Sequence, residues 1–187
     1  MKRNTRIWLL PLATAAMAGS PGTAAAEETT CRGTIGATTE DNIRVPQGAV
    51  CNLNGTKAQG TVKVERGATL RAKGVRVIGN VQSEDARRVN VVRSSRIGGS
   101  VQIVQGGAAK VSDSRVNADI LYDENGGSLK ALRNLVGGNV QAFQNTGGVE
   151  IGRNEIDGNL QCKENAPAPT GGNNAVGGNK EDQCASL

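Results

Sequence analysis

The sequence predicts an all-β fold, a right-handed parallel β-helix (solenoid) of about seven 19–20-residue rungs, with a disulfide near each end. A motif of one small, usually one polar and one aliphatic residue recurs with that period. Between the motifs, aliphatic residues alternate with polar ones, as they do in short strands. The four cysteines form two pairs separated by 20 and 22 residues. A fixed period in this range is typical of a solenoid, in which each repeat forms one rung of the coil.

The recurring motif sets the period of the coil. The intervals between its successive third positions are 19, 20, 19, 20, 20 and 20 residues. The copies are Gly60-Thr61-Val62, Gly79-Asn80-Val81, Gly99-Ser100-Val101, Ala118-Asp119-Ile120, Gly138-Asn139-Val140, Gly158-Asn159-Leu160 and a degraded Gly178-Asn179-Lys180. A β-sandwich would show alternation without a constant period, and a leucine-rich repeat would need more leucine at a different spacing.

Each repeat contains three groups of aliphatic residues, and each group predicts one strand. In one repeat they are Val62 with Val64, then Leu70 with Ala72, then Val77, and later repeats follow the same plan. Alternation with a period of two places these side chains on one face of a strand. Turn-forming Gly, Asn, Asp and Ser separate the groups. Three strands in about twenty residues describe a triangular rung, and parallel crossovers favour the right-handed coil. A left-handed β-helix fits less well, because the period is not a whole number of hexapeptides.

Residues 1–26 are predicted to be a secretory signal peptide. Lys2, Arg3 and Arg6 give a basic start, an apolar stretch follows at 7–17, and Ala24-Ala25-Ala26 provides a cleavage site. The apolar stretch is too short for a transmembrane span. We therefore expect an exported protein without a membrane span, located in the extracellular space, the periplasm or the cell wall.

The remaining chain divides into two caps and a central coil. We expect residues 27–42 to form an N-terminal cap, 43–163 to form the rungs and 164–187 to form an irregular C-terminal cap. The repeat extends far enough upstream to place Cys51 at the inward position that Leu70 fills 19 residues later. In the last segment Pro167, Pro169, Gly171 and Gly172 are expected to replace the second strand by a loop or an edge, since proline cannot donate to a strand ladder.

The cysteine spacing predicts the disulfide pairing. Four cysteines allow three connectivities, and the period of the coil selects Cys31 with Cys51 and Cys162 with Cys184. Cα atoms stacked on adjacent rungs lie about 5 Å apart, which suits a disulfide. Zinc is the alternative, but the chain has no His and no C-x-x-C pair. Export would also provide the oxidising compartment that disulfides need.

The charge is small overall and uneven along the chain. Removing Lys2, Arg3 and Arg6 with the signal peptide leaves 19 basic against 17 acidic residues, a net charge of +2. Residues 57–96 hold ten basic and three acidic residues, whereas residues 111–187 hold six basic and ten acidic. The small net charge gives no support to nucleic-acid binding. Opposite charges on the two halves predict weak head-to-tail self-association.

Stacking converts one position of every repeat into a column on the surface. Arg76, Arg96 and Arg115 each precede an opening strand by five residues, so we expect them to stack outward. Like charges this close repel unless they are neutralised, which predicts a site for an anionic glycan or envelope polymer. The alternative is a solvated face on which the arginines fan out.

Two further columns consist of uncharged polar residues for the most part. The first strand of each repeat carries an outward polar ladder, which is either a surface for an extended polymer or another solvated face. The ladder consists of Gln82, Gln102, Gln141 and Gln161. The second column consists of the residues just before each opening strand, which are expected to hydrogen-bond along the coil in a structural role. They are Asn80, Ser100, Asp119, Asn139, Asn159 and Asn179.

Catalysis has little support in this sequence. The paired carboxylates Glu84-Asp85 and Asp123-Glu124 should share one corner two rungs apart, or about 10 Å, at the upper edge of the spacing in inverting glycosidases. No repeat carries a long insertion that would wall a cleft, and the absence of His excludes Ser–His and Cys–His systems. We predict no enzyme, no cofactor and no metal; a small polysaccharide lyase or hydrolase is the less favoured alternative.

Two stretches carry a resemblance to known proteins. The run Gly-Gly-Asn-Val-Gln-Ala-Phe-Gln-Asn at 137–145 and the ending Gly-Asn-Leu-Gln-Cys-Lys-Glu-Asn-Ala-Pro-Ala-Pro-Thr-Gly-Gly at 158–172 resemble small exported bacterial β-helix repeat proteins of unassigned function. In its short Gly-Asn-Val rungs the chain is also similar to the bactofilins, polymer-forming β-helix proteins. Bactofilins are cytoplasmic and lack such a signal and such disulfides, so their self-assembly is not transferred.

The sequence thus predicts an exported, non-enzymatic β-solenoid of the cell envelope or extracellular space with a structural or binding role. The alternative is a binder of an anionic polysaccharide or envelope polymer through the basic face.

Overall fold

A computed structural model describes residues 27–187, and the predicted signal peptide lies outside the described residues. The first eight strands are β1 Glu28–Thr30, β2 Thr34–Ile35, β3 Thr39–Glu40, β4 Asn42–Val45, β5 Val50–Asn54, β6 Lys57–Ala58, β7 Val62–Val64 and β8 Thr69–Lys73. The next nine are β9 Arg76–Val77, β10 Val81–Glu84, β11 Arg88–Val92, β12 Arg96–Ile97, β13 Val101–Val104, β14 Ala108–Ser112, β15 Arg115–Val116, β16 Ile120–Asp123 and β17 Leu129–Leu132. The last eight are β18 Leu135–Val136, β19 Val140–Phe143, β20 Val149–Gly152, β21 Glu155–Ile156, β22 Leu160–Lys163, β23 Thr170–Gly172, β24 Ala175–Val176 and β25 Lys180–Asp182.

The strands build three parallel sheets, because every third strand returns to the same side of the coil. The first sheet has nine strands, β1 and every third strand from it to β25. The second sheet has eight strands, from β2 to β23, and the third has eight, from β3 to β24. All pairings are parallel. The predicted parallel β-solenoid is confirmed, and within residues 27–187 no helix interrupts it.

The register follows the period of the sequence. In the first sheet Val62, Val81 and Val101 are direct partners on successive rungs, and in the second sheet Cys51 is the partner of Leu70. Inward positions of all three sheets meet in one continuous core of aliphatic residues. Tyr122 is the largest fully buried side chain, at 0% exposure. Short, branched side chains suit this narrow interior, because stacked strands leave little width between the sheets.

Two columns of asparagine line the inside of the corners, and the sequence analysis missed them. Between the first and second sheets they are Asn125, Asn145 and Asn165, and between the second and third sheets they are Asn134, Asn154 and Asn174. Each amide in these columns is at most 6% exposed. A buried amide must find partners for both its donors and its acceptor, and here the rungs above and below supply them.

The residue before each buried asparagine has a left-handed backbone. Glu124, Gln144 and Glu164 have φ of 55°, 53° and 58°, and Arg133 and Arg153 have φ of 54° and 58°. This conformation is unfavourable for residues with a Cβ, and the hydrogen bonds of the following amide offset its cost. The left-handed residue points its own side chain outward and turns the chain, so that the next residue faces the core.

The two disulfides lie near the two ends of the coil, as the spacing predicted. Cys31 joins Cys51 with their Cα atoms 5.6 Å apart, and Cys162 joins Cys184 with their Cα atoms 5.2 Å apart. Neither pair shares one column. Cys162 is the register partner of Asp182, so Cys184 lies two residues further along. The first bond shows the same offset, because Thr34 pairs with Asn52 and Cys31 precedes that position.

Both terminal segments take part in the sheets. The segment 27–42, expected as a cap, contributes β1 to β3, the first strand of each sheet. The segment 164–187 contributes β23 to β25, the last strand of each sheet. Pro167 and Pro169 lie before β23, where the chain runs outside the sheets. Gly171 and Gly172, expected to replace the second strand, instead belong to β23 and pair with Ile151 and Gly152, so that part of the prediction was wrong.

Candidate anion-binding face

A column of four cations runs along the third sheet. Strand register places Arg96 between Arg76 and Arg115 as a direct partner of both, and it pairs Arg76 with Lys57. We call Lys57, Arg76, Arg96 and Arg115 the basic column. The sequence analysis named only the three arginines, although the interval of 19 residues between Lys57 and Arg76 also fits the period.

The fold forces these side chains outward. Each is the first residue of a two-residue strand whose second residue is inward, as with Arg76 beside Val77 and Arg96 beside Ile97. Adjacent strands are about 4.8 Å apart, so the cationic side chains start at that spacing. All four are exposed, and none takes part in an ion pair among residues 27–187. Among residues 27–187, the one side-chain hydrogen bond of the column joins Arg115 to Asn117, whose Oδ1 accepts from Arg115 Nε at 3.3 Å.

The arginines of the basic column line a shallow groove of about 900 Å³. Its other lining residues include Ser95 and Ser114, which are buried at the corner, and two exposed aliphatic residues, Ile78 and Leu135. Ile78 and Leu135 are 47% and 46% exposed. Exposed aliphatic side chains beside a row of cations give the groove both charge and apolar surface. We call this depression the third-sheet groove.

An ion pair closes one side of the third-sheet groove. Arg133 donates from Nε to Asp113 Oδ1 at 2.6 Å and from its second amino group to Oδ2 at 2.9 Å. These hydrogen bonds from Arg133 are the main reason that the pKa of Asp113 lies below its ordinary value. The pair is about half exposed, so its role is local neutralisation of a carboxylate next to the basic column.

The basic column ends abruptly. Leu135 is the register partner of Arg115, and Glu155 is the partner of Leu135. Asp157 lies near Glu155 in a second shallow depression of about 400 Å³. This side of the coil therefore presents four cations, one aliphatic residue and then two carboxylates. Its charge changes from basic to acidic along the coil.

The glutamine ladder lies on the first sheet, and its amides pair with one another. Gln82 donates to Gln102 at 3.0 Å, and Gln141 donates to Gln161 at 2.8 Å. Leu121 separates the two pairs, since it is the partner of both Gln102 and Gln141. Because these amides use part of their hydrogen-bonding capacity on each other, this face offers a ligand less than the basic column does.

The polar residues before each opening strand hydrogen-bond along the coil. Asn80 Oδ1 accepts from the backbone N–H of Ser100 at 2.8 Å, and Asn139 Oδ1 accepts from Asn159 at 2.8 Å. Asp119 accepts from Asn139 in the same way at 2.7 Å. These side chains link successive rungs.

The two carboxylate pairs do not form one site. Glu84 and Asp123 occupy one column with Val104 between them, which puts them about 10 Å apart. A depression of about 530 Å³ lies beside Glu84 and Asp85, but it does not extend to Asp123. Burial is the main cause that raises the pKa of Asp123. Within residues 27–187, no group of three or more Asp, Glu or Cys side chains is arranged to hold a metal ion.

No protein-family model, no curated protein and no solved structure matches this chain. The residues that the structure describes contain no helix of the length and apolarity needed to cross a membrane. The geometry of the third sheet therefore carries the functional argument.

Proposed function

We propose that this protein is an exported, non-enzymatic β-solenoid of the cell envelope or extracellular space that binds an anionic polymer along its third sheet. The observation that carries the proposal is the basic column, four exposed cations in direct register without a carboxylate partner among residues 27–187. A linear polyanion that follows the column would meet one cation on each rung.

Electrostatics favours an occupant of this kind. Two unit charges 4 Å apart in water repel by about 1 kcal/mol, and the cationic side chains of the basic column start from strands about 4.8 Å apart. A bound polyanion replaces this repulsion by attraction and releases its own counterions, so its affinity should fall as salt increases. Arginine suits the task, because its planar fork can hold a carboxylate or a phosphate with two hydrogen bonds.

The uniform rungs support a binding role over a catalytic one. The third-sheet groove is shallow and open, and the strands around it have the same two-residue length from β3 to β24. Most glycoside hydrolases use two carboxylates that flank the scissile bond, whereas this groove has one carboxylate at its edge, paired with Arg133.

Export is supported by the segment 1–26 and by the disulfides. That segment has the basic start, apolar stretch and small-residue site of a signal peptide. Both disulfides would be stable in an oxidising compartment outside the cytoplasm.

Binding to immobilised polymers tests the proposal. The panel contains polygalacturonate, a glycerol-phosphate polymer of the teichoic type, dextran sulfate and neutral dextran. The variant Arg76→Ala/Arg96→Ala/Arg115→Ala should lose binding to at least one polyanion by about tenfold or more, as expected for three lost ion pairs.

The matched control removes the same charge from the second sheet. Arg71, Arg88 and Lys110 lie on that sheet, and none is in an ion pair among residues 27–187. Arg71→Ala/Arg88→Ala/Lys110→Ala should keep affinity within about twofold of the unchanged protein, apart from the general effect of net charge. Equal losses in the two variants, or no polyanion binding by the unchanged protein, would refute the proposal.

A further inference from the structure

We infer that the polymer is a linear polyuronate, with one carboxylate on each sugar, and that four consecutive sugars lie along the basic column. This inference rests on the proposed function and names the class of ligand. It follows from the spacing of the cations, the apolar surface beside them and the point at which the column ends.

The spacing of the cations is the first argument. One cation stands on each rung, and rungs are about 4.8 Å apart. An extended chain of pyranose sugars advances by about the length of one ring per residue, which is close to this spacing. A polyuronate would therefore present one carboxylate per rung from Lys57 to Arg115. Successive carboxylates point to alternate sides of the polymer, and the long, exposed cationic side chains of the basic column can fan out to reach both sides.

In polymers with other charge spacings, the successive charges do not stay opposite the cations of the basic column. Duplex DNA carries one charge per about 1.7 Å of axis, so most of its phosphates would have no cation opposite them. Polyphosphate has a similar excess of charge. A glycerol-phosphate chain has the opposite mismatch, since its flexible spacer separates the phosphates by more than one rung and must fold to bring them into register.

The apolar side chains are the second argument. Ile78 and Leu135 lie in the same groove as the arginines and are each nearly half exposed. Gly98, the register neighbour of Ile78, adds no side chain beside it, and a Cβ there would collide with the Ile78 carbonyl oxygen. Sugar rings have C–H faces that pack on such surface, whereas a polyphosphate has no apolar face to bury.

The end of the column is the third argument. Leu135 offers a fifth sugar apolar contact but no cation for its carboxylate, and Glu155 would repel the carboxylate of a sixth. The number of uronate carboxylates that pair with a cation is therefore fixed at four by the sequence of the third sheet.

Calorimetry with galacturonate oligomers of two to eight residues tests the inference. Each added sugar should raise the affinity about two- to fivefold up to four residues. A fifth should add less than about twofold through apolar contact with Leu135, and longer oligomers should gain only the small statistical factor of multiple registers. The methyl-esterified tetramer, which lacks the charges, should bind at least tenfold more weakly, as should polyphosphate of equal total charge.

One variant extends the column and serves as a positive test. Leu135→Arg adds a cation in register with Arg115, so the affinity should continue to rise until the pentamer. Ile78→Ser should weaken the tetramer without moving the limit of four.

The inference is overturned if affinity does not level off at four sugars, if Leu135→Arg leaves the limit unchanged, or if polyphosphate or the glycerol-phosphate polymer binds as tightly as the uronate. If one of those polymers binds and is lost in the triple arginine variant, the proposed function stands and only the polyuronate is rejected. If nothing anionic binds, both fail.

Discussion

Asn145 donates a hydrogen bond from its side-chain amide to the Oδ1 of Asn165, one rung further along the coil, at 2.8 Å. The same amide of Asn145 also donates to the Tyr122 carbonyl in the preceding rung at 3.1 Å. Its own Oδ1 accepts from the backbone and side-chain N–H groups of Asn125 at 2.9 and 3.0 Å. One buried side chain thus joins three rungs, and its replacement should affect all of them.

Asn145→Ala should lower the free energy of unfolding by about 3 kcal/mol or more, because several buried groups lose their partners at once. Chemical denaturation followed by circular dichroism measures the change. The control is Asn117→Ala at an exposed corner, which should change the free energy by less than about 0.5 kcal/mol. Similar values for the two variants would show that the buried amides do not hold the rungs together.

Each disulfide should stabilise the coil by about 3 kcal/mol, since each closes a loop of about twenty residues in the unfolded chain. Cys31→Ala/Cys51→Ala and Cys162→Ala/Cys184→Ala should therefore unfold at lower denaturant concentrations. Proteolysis should begin near the released end in each variant. Cleavage at the opposite end, or a stability unchanged by either double replacement, would contradict this expectation.

Tyr122 should make the fold sensitive to alkali. Burial raises the pKa of Tyr122 above its ordinary value, and its hydroxyl donates to the Lys130 carbonyl at 2.8 Å. In the unfolded chain the phenol ionises near pH 10, whereas in the folded chain it stays neutral. The unfolded state therefore binds fewer protons above about pH 10, so the free energy of unfolding falls as pH rises through that value.

This expectation is simple to measure, because Tyr122 is the single tyrosine of the chain. Ultraviolet absorbance should show phenolate only as the protein unfolds. Tyr122→Phe should lose about 1 kcal/mol at neutral pH with its hydrogen bond, and it should lack the tyrosine contribution to the alkaline decline. Reversible phenolate formation near pH 10 in the folded protein would disprove the buried position.

Arg133 should support polymer binding without touching the polymer. It neutralises Asp113 at the edge of the third-sheet groove, so Arg133→Ala leaves a carboxylate there without its partner. We expect a several-fold loss of affinity for a polyanion. The double variant Asp113→Asn/Arg133→Ala should restore most of that affinity. It loses one negative and one positive charge, so its net charge is one below that of Asp113→Asn alone. No recovery in the double variant would show that Arg133 contacts the polymer itself.

The opposite charges along the third sheet should also produce weak self-association. The basic column of one copy and the Glu155–Asp157 end of another have complementary charge. Sedimentation should show an oligomer at low salt that dissociates at high salt, because exposed charges are screened. A polyanion should compete with it. A monomer at both salt concentrations would exclude this association.

The period of the sequence was sufficient to predict the fold, the cysteine partners and the relation of the three arginines. Each of these depends on counting residues around a coil with rungs of nearly equal length. The count even extends to Lys57, which precedes Val62 by five residues as each arginine precedes its own opening position, although the sequence analysis named the arginines alone.

The buried amides could not be predicted in the same way. Asn125, Asn145 and Asn165 recur at intervals of 20 residues, so their periodicity was visible. Asparagine also favours left-handed turns, however, and such a turn would have pointed the amide outward. In the structure the preceding residue, such as Gln144 with φ of 53°, takes the left-handed position instead. The third-sheet groove was hidden for a related reason, since its depth depends on how Ile78 and Leu135 stand beside the arginines.

Every rung adds one residue to every column. The number of side chains that a column offers a ligand can therefore change by one at a time. Duplicating one basic repeat would lengthen the row by a single cation and leave the core, the corners and the terminal disulfides as they are. An insertion of one residue inside a strand would instead turn the side chains that follow it in that strand to the opposite face, whereas a corner can absorb it, as the coexistence of 19- and 20-residue rungs shows. Recombination between repeats is thus a graded route to new specificity, whereas an insertion inside a strand disrupts the columns.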